Sequence, residues 1–338
     1  FLVSGRHLQI FTDSGEYYPP LSSGEALTPA NVAFRRQTRY GCKRVQPQDL
    51  DGATLFVQAT GNAIREYLYE DVMQSYTSES ISIMSPHLLS SPVNATSQRG
   101  NESRPEQNAF FINDDGTIAV FHTARGQEIA GWTLWSTRDG DEFVSIQAVG
   151  PNLFCVTKRS INGSTVYYVE KFADDDSVTL DCQVTVSGSG LTWSGYTALE
   201  GETVQAIARG TALGEHTVSA GVITIDETGV TELKAGFNYT PTLVTMPLDA
   251  NAEGGSLTGN MRRIVRCIIT LNTALSVTVS GQELIVRQVT DDLSLAPTAV
   301  TGHKEFYLRG YSREPVVTLS QTDPLSLRIL GLSMEMAY

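Results

Sequence analysis

Short runs of Val, Ile, Tyr, Phe and Thr recur along the chain, separated by Gly, Asn, Asp and Ser. This punctuation predicts β-strands joined by tight turns. Strongly amphipathic helical stretches are nearly missing. The ambiguous segment is "NAIREYLYEDVMQSY" from Asn62, where Ile64, Leu68 and Val72 recur at a helical spacing of four. Read with period two, the same residues give a strand over 63–70, and the strand is preferred because it fits a repeat.

That repeat is a hairpin with an aromatic-rich second strand, written four times. Its copies are "HLQIFTDSGEYYPP", "TLFVQATGNAIREYLYE", "AFFINDDGTIAVFHTA" and "NLFCVTKRSINGSTVYYVEKF". Tyr17, Tyr67, Val120 and Tyr168 take matching places, with steps of 50, 53 and 48 residues. A β period of roughly 40–50 residues marks propeller blades. Apolar residues on both faces of 166–172 agree, because a blade packs against a neighbour on each side. The predicted fold is therefore all-β. A partial propeller of about four blades occupies 1–178, a small inserted β-barrel or sandwich domain 179–235, and a β-rich region 236–338. The last region either completes the propeller or forms a platform. The polar stretch 90–108, "SSPVNATSQRGNESRPEQN", is predicted as a loop.

Charge narrows the functional classes. The chain has 24 Lys+Arg against 37 Asp+Glu, a net charge of -13, which disfavours general binding to nucleic acid or anionic membrane. No apolar run approaches the ~18 residues that span a bilayer, so no stable membrane insertion is expected. Phe1-Leu2-Val3 reads like the middle of a strand, which raises the expectation of a fragment or the later part of a longer polypeptide. Cys42, Cys155, Cys182 and Cys267 are scattered, so four free thiols are expected rather than a metal site or two disulfides.

Candidate chemistry is sparse. In "NDDGT", Asn113, Asp114 and Asp115 are consecutive and no Glu follows at the spacing of a calcium loop. Its expected role is a type I′ hairpin turn centred on Asp115-Gly116. "STRDGDEF" is near an Asp-box turn, with Thr137, Asp139 and Phe143 close to its offsets but the glycine one position early. The five histidines form no ligand pair, and no nucleophile elbow or phosphate loop occurs. No catalytic residue, cofactor or metal is expected. Two basic groups, Arg35, Arg36, Arg39 and Arg262, Arg263, Arg266, are candidate subunit contacts in an acidic chain. Asp174, Asp175 and Asp176 are candidate channel-facing acids.

"LTPANVAFRRQTRYGC", "LFVQATGNAIREYLYE", the long stretch 131–172, "ALEGETVQAIARGTALGEHTVSAGVITI" and "FNYTPTLVTMPL" follow one another along nearly the whole chain. In these stretches the chain resembles the tail tubular protein B, or tail nozzle, family of short-tailed bacteriophages. The motifs are structural rather than catalytic. The resemblance implies a virion component made in the bacterial cytoplasm. It implies a homo-oligomer, commonly a hexamer, ringing the DNA-ejection channel beside the tail adaptor and the fibre or spike proteins. DNA would pass through without sequence-specific binding. The alternatives are a propeller-type glycan hydrolase, or a carbohydrate-binding surface protein stacking sugars on Trp132, Trp135 or Trp193. The expectation for Trp132 and Trp135 is blade core.

Overall fold

A computed structural model describes residues 1–20, 26–100, 106–173, 177–248, 251–252, 255–256, 259–292 and 295–337. The protein is all-β, and every described strand pairing is antiparallel. The chain divides into two compact units. The first is Phe1–Ser160 with Ser164–Asp174, and the second is Ile161–Gly163 with Asp175–Tyr338. Regions 179–235 and 236–338 thus fall in one unit.

The first unit is built from four consecutive sheets. Strands β1 (Leu2–Ser4), β2 (Leu8–Phe11), β3 (Glu16–Tyr18) and β4 (Arg35–Thr38) form the first. The second contains β5 (Gln48–Leu50), β6 (Ala53–Val57), β7 (Ile64–Glu70) and β8 (Ser75–Ser80). In the third are β9 (Asn94–Gln98), β10 (Gln107–Ile112), β11 (Ile118–Ala124) and β12 (Ile129–Trp135). The fourth has β13 (Glu142–Val149), β14 (Asn152–Ile161) and β15 (Ser164–Lys171). Each sheet is a meander in chain order. The four repeated hairpins are β2–β3, β6–β7, β10–β11 and β14–β15, and the ambiguous 63–70 segment is strand β7.

Period-two alternation explains how the sheets stack. In β6, Leu55 and Val57 join Val45, Ile64, Ala109, Phe111 and Phe121 in the core between the second and third sheets. Phe56, between them in sequence, faces the opposite way and packs with Phe11, Tyr18, Tyr67 and Tyr76 against the first sheet. The third sheet repeats the arrangement. Ala109 and Phe111 face back, while Phe110, Ile112, Ile118 and Val120 face forward onto Phe143, Ile146, Leu153 and Cys155. Each fully buried large apolar side chain contributes about 1.5–3 kcal/mol of transfer free energy. In β15 the alternation leaves Tyr167 and Val169 exposed at 62% and 78%.

Two expectations change here. Segment 90–108 is not only loop, because it holds β9, which pairs along β10 from Asn94↔Ile112 to Asn108↔Gln98. Its polar side chains disguise it because they bond to backbone of the next sheet. Asn94 Oδ1 accepts from Ile146 N (3.1 Å) and Thr96 Oγ1 from Ala148 N (3.1 Å). Residues 101–105 lie outside the described residues. The "NDDGT" turn is also not type I′, which needs positive φ at both central residues. Among its residues only Gly116 has positive φ (80°), and Gly116 N donates to Asn113 O (3.2 Å). Asp114 and Asp115 are therefore the central pair of a turn of type I class, and Gly116 follows it in the left-handed region.

In the second unit, β16 (Asp181–Ser187), β17 (Thr192–Ser194), β18 (Thr203–Ala208), β19 (Thr211–Thr217), β20 (Val222–Thr224) and β21 (Glu232–Phe237) come first. They form a sheet in the order β16-β21-β18-β19 and a ribbon of β17 with β20. Trp193, Tyr196, Leu199, Val204, Ile223 and Leu233 are buried. Further along, Arg263–Ala274 lies between Val300–Tyr307 and Ile329–Ala337. This sheet shares a core of Ile264, Cys267, Ile269, Leu271, Val279, Phe306 and Leu319 with a smaller four-stranded sheet.

Candidate functional site

The most elaborate polar cluster lies where the 137–141 loop meets the fourth sheet. Arg159 on β14 has a side chain with no solvent exposure, as does Asp141. Arg159 Nη1 donates to Asp141 Oδ2 (3.1 Å) and Thr137 Oγ1 (3.0 Å). Its Nε and Nη2 donate to the two carboxylate oxygens of Glu170 on β15, at 2.8 and 2.7 Å. This is the two-pronged Arg–carboxylate geometry, which is stronger than a single charged bond. Asp141 Oδ1 accepts from Ser160 N (2.9 Å), Arg138 Nε lies 3.3 Å from Asp141 Oδ2, and Thr157 Oγ1 donates to Glu170 (2.8 Å). The donors and acceptors satisfy one another, so the cluster clamps the loop onto β14 and β15. Asp139, expected from the Asp-box likeness, is exposed, and the acid that locks the turn is Asp141, two residues later.

The "NDDGT" turn is equally self-contained. Asp115 Oδ1 accepts from Thr117 N (3.0 Å) and Thr117 Oγ1 (2.6 Å). Asp114 Oδ1 accepts from Ser90 Oγ (2.6 Å), and Asn113 Nδ2 donates to Leu88 O (3.0 Å). These acids diverge into local bonds rather than converging on an ion. No group of three or more His, Cys, Asp or Glu able to hold a metal occurs among the described residues.

The basic groups separate. Arg35, Arg36 and Arg39 are all exposed, and Arg35 and Arg36 lie on β4 at the edge of the first sheet. They can meet another surface. Arg262 cannot, because it is 2% exposed and its Nη1 and Nη2 donate to Leu248 O (2.5 Å) and Arg313 O (2.7 Å). The run of arginines therefore does not mark one surface, since Arg262 is turned inward while Arg263 and Arg266 are only half-buried. Arg263 lies 5.3 Å from the ring centre of Tyr311. Arg266 is paired with Glu305 (3.5 Å) and Glu335 (3.0 Å) on the two flanking strands. Asp174, Asp175 and Asp176 lie outside the described residues.

The tryptophans are packed. Trp132 lies against Phe111 and Phe121, with Nε1 donating to Ile81 O (3.0 Å). Trp135 lies against Phe110 and Phe172, and Trp193 is 2% exposed. This packing is the blade-core role expected of Trp132 and Trp135 rather than an exposed stacking platform. A cleft of about 490 Å³ in the second unit is lined by Arg209, Lys234, Glu232, Leu275 and Leu325, among others. Its cations are already engaged, Arg209 with Glu227 and Lys234 with Ser177 O (2.9 Å). All four cysteines are free. Burial pushes the Cys42 thiol up to about 12, far from nucleophilic use. His122 is held below its ordinary range, chiefly by burial. It bonds Asn108 Oδ1 (2.6 Å) and Thr133 Oγ1 (3.0 Å) across its own sheet.

Compared with known proteins, the chain matches no family model and no curated protein. No helix among the described residues is long and apolar enough to cross a membrane.

Proposed function

We propose that the chain is a structural virion protein of a phage tail, a nozzle or tubular component that rings the DNA-ejection channel. The observation that carries this reading is the stack of consecutive meander sheets in the first unit. Apolar residues alternate to both faces, and each face is used against the next sheet. On this reading the four sheets are propeller blades. The protein's work is to be rigid and to present surfaces, not to close over a substrate. The resemblance to the tubular family along 27–248 points the same way. The balance of -13 favours a passage that DNA traverses without adhering.

The contact surfaces follow from exposure. The edge strand β4 carries Arg35 and Arg36 outward, with Arg39 just beyond it, and the edge strand β15 exposes Tyr167 and Val169. A basic edge on an acidic protein fits a neighbouring copy of the same chain. Native mass spectrometry with negative-stain microscopy tests the proposal. Closed rings are expected for the wild type. The triple variant Arg35→Glu, Arg36→Glu, Arg39→Glu should shift the population toward monomer with unchanged circular dichroism. A strict monomer at high concentration that turns over glycans would replace this reading with a propeller-type hydrolase.

A further inference from the structure

Among its described residues, the first unit carries an apolar face at each end of its stack that none of its own sheets covers. Strands β6 and β10, in the two middle sheets, are buried along nearly their whole length. Strands β2 and β14, in the two end sheets, bury only every second residue. A middle strand has a sheet on both sides. An end strand has one only on the side it turns inward, yet its outward residues are apolar too.

On the first sheet, Leu2, Ile10, Tyr17 and Arg36 are register partners in one row across β1 to β4. Ile10 alternates with Phe11, which packs on the second sheet, so this row is the outer face. Leu2 in it is 67% exposed. On the fourth sheet, Phe154 and Val156 alternate with Leu153 and Cys155, which pack on the third sheet. Glu170 reaches Arg159, two positions from Thr157 and four from Cys155 on the inward side, so Tyr167 and Val169 belong to the outward side. Val149, 59% exposed, alternates with Ala148 of the inner cluster and joins them. Lys158, paired with Glu142, rims this face as Arg36 rims the other. Contiguous exposed apolar surface with a polar rim marks an interaction site.

The occupant follows from which faces are left over. Every contact inside the stack joins the forward face of one sheet to the back face of the next. On the third sheet, Ala109 and Phe111 face back and Phe110 and Ile112 face forward. Leu8 and Ile10 are the back-facing pair of the first sheet, and Phe154 and Val156 the forward-facing pair of the fourth. The unit therefore ends with one unused face of each kind. Two different, complementary faces on one molecule make a head-to-tail contact, which closes into a ring where the rotation per subunit allows. We infer that the outer face of the fourth sheet packs on the outer face of the first sheet of a second copy, continuing the stack from subunit to subunit. The inference rests on the ring reading above and names the two faces that join its subunits.

The test is a mixing experiment on the full chain, read by native mass spectrometry. One variant carries Tyr167→Lys and Val169→Lys on the fourth sheet, and the other carries Leu2→Lys and Tyr17→Lys on the first. Unchanged circular dichroism shows that each is folded. The wild type is expected to assemble beyond a dimer, and each variant alone to lose every species above the monomer. Mixed in equal parts, each variant keeps the face that the other lacks, so a heterodimer and nothing larger should form. A variant that assembles like the wild type overturns the inference, and so does a mixture that stays monomeric. In either case wild-type rings would leave the ring reading standing on other surfaces, whereas a strictly monomeric wild type ends both. Where Tyr17→Lys fails to fold, Leu2→Lys alone, at an exposed position, takes its place in the mixture.

Discussion

Replacing Arg159 with Met tests how the fourth sheet is held. The substitution keeps the volume of the stem but removes the guanidinium from a site with no exposure. It leaves Asp141, also unexposed, and Glu170, whose side chain is 20% exposed, without their shared cation. Breaking a buried pair by removing one partner costs about 3–5 kcal/mol. The lower end applies here for two reasons. Arg138 stays 3.3 Å from Asp141, and Ser160 N still donates to it. Glu170 is open enough to recover water. A loss of about 3 kcal/mol corresponds to a Tm fall of about 6–12 °C for a unit of roughly 150–250 residues. Urea unfolding in a Trp193→Phe background reads it directly, because both remaining tryptophans, Trp132 and Trp135, lie in the first unit. Adding Asp141→Asn and Glu170→Gln removes the stranded charges while keeping an acceptor for Ser160 N. That triple variant should recover at least half of the loss. A cost below about 1 kcal/mol for Arg159→Met, the range of an exposed pair, would refute the claim that this cluster is a buried clamp.

Two further perturbations probe the turns and the pH dependence. Gly116 has φ of 80°, and an added Cβ would lie 2.6 Å from Glu142 Cβ and 3.0 Å from its Cα. Gly150 has φ of 59° but open space around it. Gly150→Ala should therefore cost about 1–2 kcal/mol from the left-handed backbone alone. Gly116→Ala should cost measurably more in the same unfolding assay, and equal costs would contradict the packing argument. For His122, burial lowers the folded pKa below the unfolded value of 6.5. As pH falls through 6.5 the unfolded chain takes up the proton first, so stability is lost toward acid and is fully present above that value. His122→Gln should flatten the change in urea midpoint between pH 7 and 5.5, and an unchanged slope would remove His122 from that dependence.

Much of this was legible from alternation. The choice of strand for 63–70 rested on a repeat, and β7 lies there because Ile64 and Tyr67 each have a sheet to pack against. Strand β9 was hidden because Asn94 and Thr96 are polar, and their reason for being in a sheet is the backbone of β13, fifty residues away. The arginine group at 262–266 misled for a related cause. Nearness in sequence does not give a shared face, and Arg262 is turned inward onto carbonyls from distant segments. In "STRDGDEF" the pattern located the turn correctly but named Asp139 where Asp141 does the holding.

The sequence by itself determined the class of structure, the four hairpins and their period, because these depend on local backbone preference and on the side-chain period of two. It also pointed to turn chemistry for the acids of "NDDGT", because an Asp-Gly pair between two apolar runs marks a hairpin. Only the tertiary structure decided which polar residues are buried and what satisfies them. Arg159, Asp141 and Glu170 are ordinary letters until the 137–141 loop, β14 and β15 bring both carboxylates within 3.1 Å of Arg159. Desolvation sets the energy of such groups, and desolvation is a property of the packed chain, not of any segment within it.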